Sequence, residues 1–145
     1  MLFGKYTQNT NTKVKILFGD IFEQNGVIGI GVNEFFDRSI GKLVSPNSLH
    51  GYFIQKILGG KQELFDSSIE NELSNITFDT IERKEGKHRR YPIGTTAKID
   101  FAERNYLLFA LSKTNEHFEA YSTPSSLFEA LNGLLTNARS ECNGD

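Results

Sequence analysis

Two short apolar runs, Val14 to Phe18 and Val27 to Val32, stand close together in the chain, and Gly19-Asp20-Ile21 follows the first of them. Such runs, rich in Val, Ile and Leu and bounded by turn residues, are too short for helices and read as strands of a buried sheet. The glycine lets the backbone turn sharply, which leaves the Asp20 carboxylate at the carboxyl end of the first strand, where open α/β sheets gather their ligand contacts. A carboxylate there can accept from an exocyclic amine such as adenine's. Gly-Asp is equally a turn and a helix cap, with Asp20 capping a short helix through Phe22 and Glu23, so the tripeptide alone leaves both roles open.

Past Asn33, strand-like and helix-like patterns alternate. Leu49, Tyr52, Phe53 and Ile57 recur at helical spacing from Asn47 to Leu58, with Asn47 or Ser48 as cap and Gly59-Gly60 as stop. Phe65, Ile69 and Leu73 give a second helix within Gln62 to Leu73, whose start is ambiguous because Asp66-Ser67-Ser68 offers a new cap. Ile76 to Ile81 alternates, and the charged stretch Arg83 to Arg90 with Gly86 inside it reads as a hairpin or a long loop. Ile93 to Ile99 resumes a strand, and Tyr106 to Leu111 is continuously apolar, as expected of a central strand covered on both faces. Thr123 as N-cap and Pro124 at the first helical position open a last helix. Its stripe Leu127, Phe128, Leu131, Leu134, Leu135 and Ala138 is expected to pack on the sheet. The fold class is therefore α/β, with helices on a mixed sheet.

A chain of 145 residues, 38% of them hydrophobic and 23% charged, has the size of one domain with its own core. Tyr6 to Lys13 is polar and rich in Asn and Thr, so residues 1–13 read as a leader or linker and 14–145 as the domain. A net charge of -2 argues against purely electrostatic nucleic-acid binding. The single cysteine, Cys142, excludes an intramolecular disulfide and fits a reducing, cytoplasmic setting. No apolar run approaches the ~20 residues that span a bilayer. His88 and His117 lack neighbours at metal-ligand spacing, so no metal and no cofactor are expected.

Val14 to Asn33, Ser45-Pro46-Asn47-Ser48-Leu49-His50-Gly51 and the helix after it follow the order of parts in a macro domain, which the chain resembles. Val32-Asn33-Glu34-Phe35-Phe36-Asp37, Asn47 to Gly51 and Tyr91-Pro92-Ile93-Gly94-Thr95-Thr96 are similar to the divergent macro branch of Thoeris-type anti-phage effectors. Partner TIR enzymes of those effectors make ADP-ribose-derived signals. The resemblance implies a macro-like three-layer α/β/α sandwich that binds ADP-ribose or a derivative. It places Asp20 on the adenine, with Ile21 beside it as backbone donor and apolar wall, and Asn33 on the distal ribose. In the family a further strand and a Gly-Thr-Gly phosphate loop would follow the last helix, whereas this sequence stops at Asp145. The domain is thus expected to be a truncated piece or to take the missing strand from another segment, and to self-associate if it stands alone.

Ser45, Asn47, Ser48, Leu49, His50 and Gly51 lead into a helix whose free N–H groups suit phosphate oxygens. Most macro domains carry a glycine run here. This chain matches it only at Gly51, which favours a modified ligand over plain ADP-ribose. His50 could meet a pyrophosphate or a ligand carboxylate, or face solvent. Phe36 and Asp37 follow Asn33 in a loop that could close over the distal moiety, although core packing suits one of the two phenylalanines Phe35 and Phe36 better than two ligand contacts do. The basic run Arg83 to Arg90 reads as a solvated loop. The preferred reading is a sensor whose ligand-binding loops order on binding, with no catalytic residue. The alternatives are an ADP-ribosyl hydrolase using Asn33 and Asp37, and a scaffold that has lost its pocket.

Overall fold

The computed structural model describes residues 14–142; the polar stretch up to Lys13 and the last three residues lie outside it. Its sheet is built around β5 (Arg104–Thr114), which pairs in parallel with β1 (Ile28–Asn33) on one side and antiparallel with β4 (Thr96–Phe101) on the other. Tyr106, Leu107, Leu108 and Ala110 of β5 are all buried, as an apolar run covered on both faces should be. A short β6 (Ala120–Tyr121) pairs with the end of β5. The sheet is mixed because β1 and β4 pair with β5 in opposite senses, and β2 (Asp79–Thr80) and β3 (Arg89–Arg90) form a separate antiparallel ribbon around Gly86, so the hairpin reading holds.

One face of the sheet carries the main core. Ile28, Ile30 and Val32 alternate along β1 and meet Tyr106, Leu108, Ala97 and Ile99 from the neighbouring strands. α1 (Leu49–Tyr52), prolonged by a π-helical turn at Phe53–Ile57, and α2 (Gln62–Glu72) close this face with Phe53, Ile54, Leu58, Phe65 and Ile69. Each such side chain contributes about 1.5–3 kcal/mol by leaving water. α3 (Pro124–Cys142) covers the opposite face, which completes a three-layer α/β/α sandwich. The Thr123 hydroxyl accepts from the Ser126 N–H at 3.1 Å and caps it.

Two expectations are overturned. Val14 to Phe18 forms no strand: the run is irregular and its apolar side chains are exposed. Asp20 therefore stands before a 3-10 turn (Ile21–Glu23), not at a strand end. The α3 stripe is also turned outward, with Leu127, Phe128, Leu131 and Leu135 exposed. The helix instead docks through Ser126, Ala130 and Gly133, and a Cβ on Gly133 would come within 2.1 Å of the Gly94 carbonyl oxygen. Backbone-close packing of small residues there prevails over burial of the leucines.

Candidate functional site

Asp20 and the loop at Asn47 are far apart in sequence, yet they line one shallow cleft of about 280 Å³ together with Phe22, Ser48, Leu49 and Tyr52. The local reason is the 3-10 turn. Asp20 Oδ1 accepts from the Phe22 N–H at 2.8 Å, the capping role that Gly-Asp offers. Its second oxygen takes no bond from the described residues. Arg104 clamps the turn by donating to the carbonyl oxygens of Phe22 and Gln24, and Phe22 stacks on Tyr52 with ring centroids 5.1 Å apart. The cleft thus has a fixed carboxylate at its rim and half-exposed apolar walls in Leu49 and Tyr52. Those are the features that hold a flat, amine-bearing ring. Ile21 is half-buried, and its N–H, first in the turn, is not used by it.

The entry to α1 is largely self-satisfied. Ser45 Oγ accepts from the Asn47 N–H and Ser45 O from the Ser48 N–H, while Ser48 Oγ accepts from the Gly51 N–H at 3.0 Å. The Ser45, Leu49 and His50 N–H groups of this segment have no partner among the described residues. Gly51 is required by packing: a Cβ there would lie 2.1 Å from the Ser45 carbonyl oxygen.

Phe36, Asp37 and His50 are buried, and Asn33 is half-buried. Asn33 Oδ1 accepts from the N–H groups of Phe35 and Asp37, and its Nδ2 donates to Asp37 at 2.9 Å, so both ends of the amide hold the turn. Asp37 has no exposed surface. It accepts from Arg83 Nη1 and Nη2 at 3.2 and 3.0 Å and from the Lys87 N–H at 2.9 Å. Gly86 at φ +89° makes this approach possible, since a Cβ there would stand 2.7 Å from Asp37 Oδ1. Phe35 and Phe36 are both buried, Phe35 beneath the Arg83 guanidinium at 3.8 Å. His50 is 6% exposed, so it does not face solvent. Its ring lies against Phe65, its Nε2 has no partner, and burial lowers its pKa to about 4 even though Asp37 pulls the other way.

The basic run is a solvated loop only in part: Lys84, His88 and Arg89 are exposed, while Arg83 and Lys87 turn toward the body of the domain. Arg83 pairs with Asp37, Lys87 with Asp66 at 2.7 Å and Arg90 with Asp79 at 2.9 Å. Only Arg83 is an internal counter-ion, a role that the sequence hides because Asp37 lies 46 residues away, whereas the Arg90–Asp79 pair is at the surface.

A larger cleft, about 530 Å³, opens beside the carboxyl ends of β1 and β5 and is lined by Glu34, Arg90, Tyr91, Lys113, Thr114 and Glu129 among others. Glu34 is buried, and desolvation raises its pKa above the ordinary carboxylate value against the pull of Arg90, Lys113 and Arg83. Its position immediately after Asn33, at the end of a strand, was the signal that marks it. The two clefts differ in size and in chemistry: the larger is a mixed-charge surface hollow, while the smaller joins the Asp20 carboxylate to the Asn47 loop and two aromatic rings. Among the described residues, no group of His, Cys, Asp and Glu could hold a metal, and no helix is long and apolar enough to cross a membrane.

A mixed sheet between helical layers, with loops from two distant segments meeting in an aromatic-walled cleft, defines a ligand-binding α/β/α domain. The model of the family described as Thoeris protein ThsA, macro domain, matches residues 14–145, and the chain belongs to that family. A comparison with curated proteins returns no match.

Proposed function

We propose that this domain binds an ADP-ribose-derived nucleotide as a signal in anti-phage defence, downstream of a TIR-domain enzyme. The observation that carries the reading is the meeting of Asp20 with Asn47, Ser48 and Leu49 in one cleft. In it, the free Asp20 oxygen accepts from the adenine amine, the ring rests between Leu49 and Tyr52, and the Leu49 and His50 N–H groups reach the phosphates. The family match supports the ligand class. The hydrolase alternative gains nothing from Asn33 and Asp37, whose polar atoms hold their own turn. That turn is already locked and the Ser45 to Gly51 entry is largely held by its own bonds, so the reading rests on a cleft formed before the ligand arrives.

Thermal melting with ADP-ribose, NAD, AMP and an amino-acid conjugate of ADP-ribose tests this. A ligand at 100 times its Kd stabilises by about 2.7 kcal/mol. One of the four is expected to raise Tm in the native chain. Asp20→Asn keeps a side chain that can cap the turn and removes the negative charge, so it should melt like the native chain and lose the shift. No shift with any ligand, or a shift unchanged in Asp20→Asn, refutes the assignment.

A further inference from the structure

Two carboxylates are buried among the described residues, and the structure gives a cation to only one of them. Asp37 is met by Arg83, whereas Glu34, 6% exposed, forms no ion pair. The Glu34 backbone is fixed on both sides, its N–H donating to the Ser112 carbonyl and its own carbonyl accepting from the Tyr91 N–H. Its carboxylate is far less occupied: Oε1 takes one long bond, 3.4 Å, from the Thr114 N–H, and Oε2 takes none from the described residues. The Thr114 hydroxyl beside it is buried and unpartnered too. Unused acceptors and an unpaired charge cost free energy when shut away from water, and folded domains keep few of them without a use. Burial raises the Glu34 pKa accordingly. The carboxylate is not sealed in, since Glu34 lines the hollow of about 530 Å³ beside the carboxyl ends of β1 and β5.

The rest of that lining says what would complete Glu34. Three aromatic rings face the hollow: Tyr91 is buried, and Phe78 and Tyr121 are partly exposed. Its ionisable groups are the carboxylates of Glu34, Asp79 and Glu129 against the cations of Arg90 and Lys113, a net charge of -1 when all are ionised. Arg90 is already held by Asp79 at 2.9 Å. Water can fill the hydrogen bonds but leaves the charge standing, and an anion would add to it. An alkylammonium group carries three donors and one positive charge, and it is attracted to aromatic faces. Its approach is from this side, because the smaller hollow of about 300 Å³ across Glu34 is lined by Arg83 and Lys84.

We propose that this hollow is a second ligand site, which takes a primary alkylammonium ion. The nitrogen donates to Glu34 Oε2 and Thr114 Oγ1, and the alkyl arm lies along Phe78, Tyr91 and Tyr121. The site shares no lining residue with the Asp20 cleft, so it stands or falls apart from the nucleotide reading. Lys113 is its resident opponent: the Lys113 charge already acts on Glu34 without pairing with it, and it repels an incoming cation.

Amide correlation spectra of the full, nitrogen-15-labelled chain read the outcome. Butylammonium chloride, titrated against sodium chloride at equal concentration, should give saturable shifts at the Thr114 and Tyr91 amides, which bond the Glu34 carboxylate and carbonyl. A Kd on the order of 1 mM is expected for so small a ligand. Glu34→Gln keeps an acceptor for the Thr114 N–H and removes the charge, so it should fold and bind about tenfold more weakly or worse. Lys113→Met removes the opposing charge and should tighten binding roughly threefold or more, a gain that a merely structural Glu34 would not produce. This second variant also keeps the test open should Glu34→Gln unfold. A blocked lysine, N-acetyl-lysine methylamide, run alongside separates the two sources of the group: tighter binding than butylammonium assigns the site to a lysine side chain of a partner, weaker binding to a free amine. No saturable shift up to about 50 mM overturns the proposal. So do equal shifts from neutral 1-butanol, which would mark an apolar crevice only, or a folded Glu34→Gln chain that binds like the native one.

Discussion

Asp37→Ala separates a carboxylate that builds the fold from one that touches ligand. In the structure the carboxylate accepts four hydrogen bonds, from Asn33 Nδ2, both Arg83 Nη atoms and the Lys87 N–H. Its removal strands the Arg83 guanidinium, whose side chain is only 7% exposed. A buried charge left without its partner costs about 3–5 kcal/mol, a large share of the 5–15 kcal/mol that holds a typical domain together. For a chain of this size that is a fall in Tm of roughly 10 °C or more. Urea unfolding followed by circular dichroism measures it directly. The double variant Asp37→Ala/Arg83→Met should recover much of the loss, because an apolar side chain can occupy the space without an unpaid charge, and the cycle gives the coupling energy. If Asp37→Ala cost under about 1 kcal/mol while abolishing nucleotide binding, the carboxylate would belong to the ligand and this account of the loop would be wrong.

Two further substitutions probe the interior. Between pH 6.5 and about 4 the unfolded chain protonates His50 and the folded chain does not. Stability should therefore fall as pH drops through that window, by up to about 3 kcal/mol, and no further below it. Glu34, with its raised pKa, acts in the opposite sense above pH 4.5. The His50 contribution is thus read as the difference in urea midpoint between the native chain and His50→Phe across pH 4 to 7, and a difference independent of pH would contradict the buried neutral ring. Gly133→Ala should destabilise by about 2 kcal/mol despite alanine's better helix propensity, since the new methyl meets the Gly94 carbonyl at 2.1 Å. An unchanged or raised urea midpoint would mean that α3 does not dock this closely.

Where a segment's partner is its own backbone or the next turn, the sequence was legible. Tyr106 to Leu111 as the central strand, the Gly86 hairpin, the helix after Ser48 and the Thr123-Pro124 start follow from period, capping and turn chemistry. The errors fall where two segments compete for one place. Amphipathicity assigns the leucines of α3 to the core, yet a helix whose other face reads Ser126, Ala130, Gly133 can approach Gly94 to backbone contact, and the smaller face goes inward. Val14 to Phe18 has strand composition, but composition cannot supply an edge to pair with.

The candidate site divides along the same line. Asp20 and the Asn47 loop remain at the surface because the 3-10 turn and the Ser45–Ser48 bonds fix their backbones without consuming every polar group. Asn33, Asp37 and His50 look equally chemical in the sequence. What occupies the first two is Arg83, some fifty residues on, whose charge can be buried only if Asp37 is turned inward to meet it. The Asn33 amide must then follow to complete the carboxylate's shell. The residues of the resemblance that keep an unused polar atom are those whose local bonds leave one over, and by that criterion Asp20 and Leu49 stand apart from the side chains of Asn33 and Asp37.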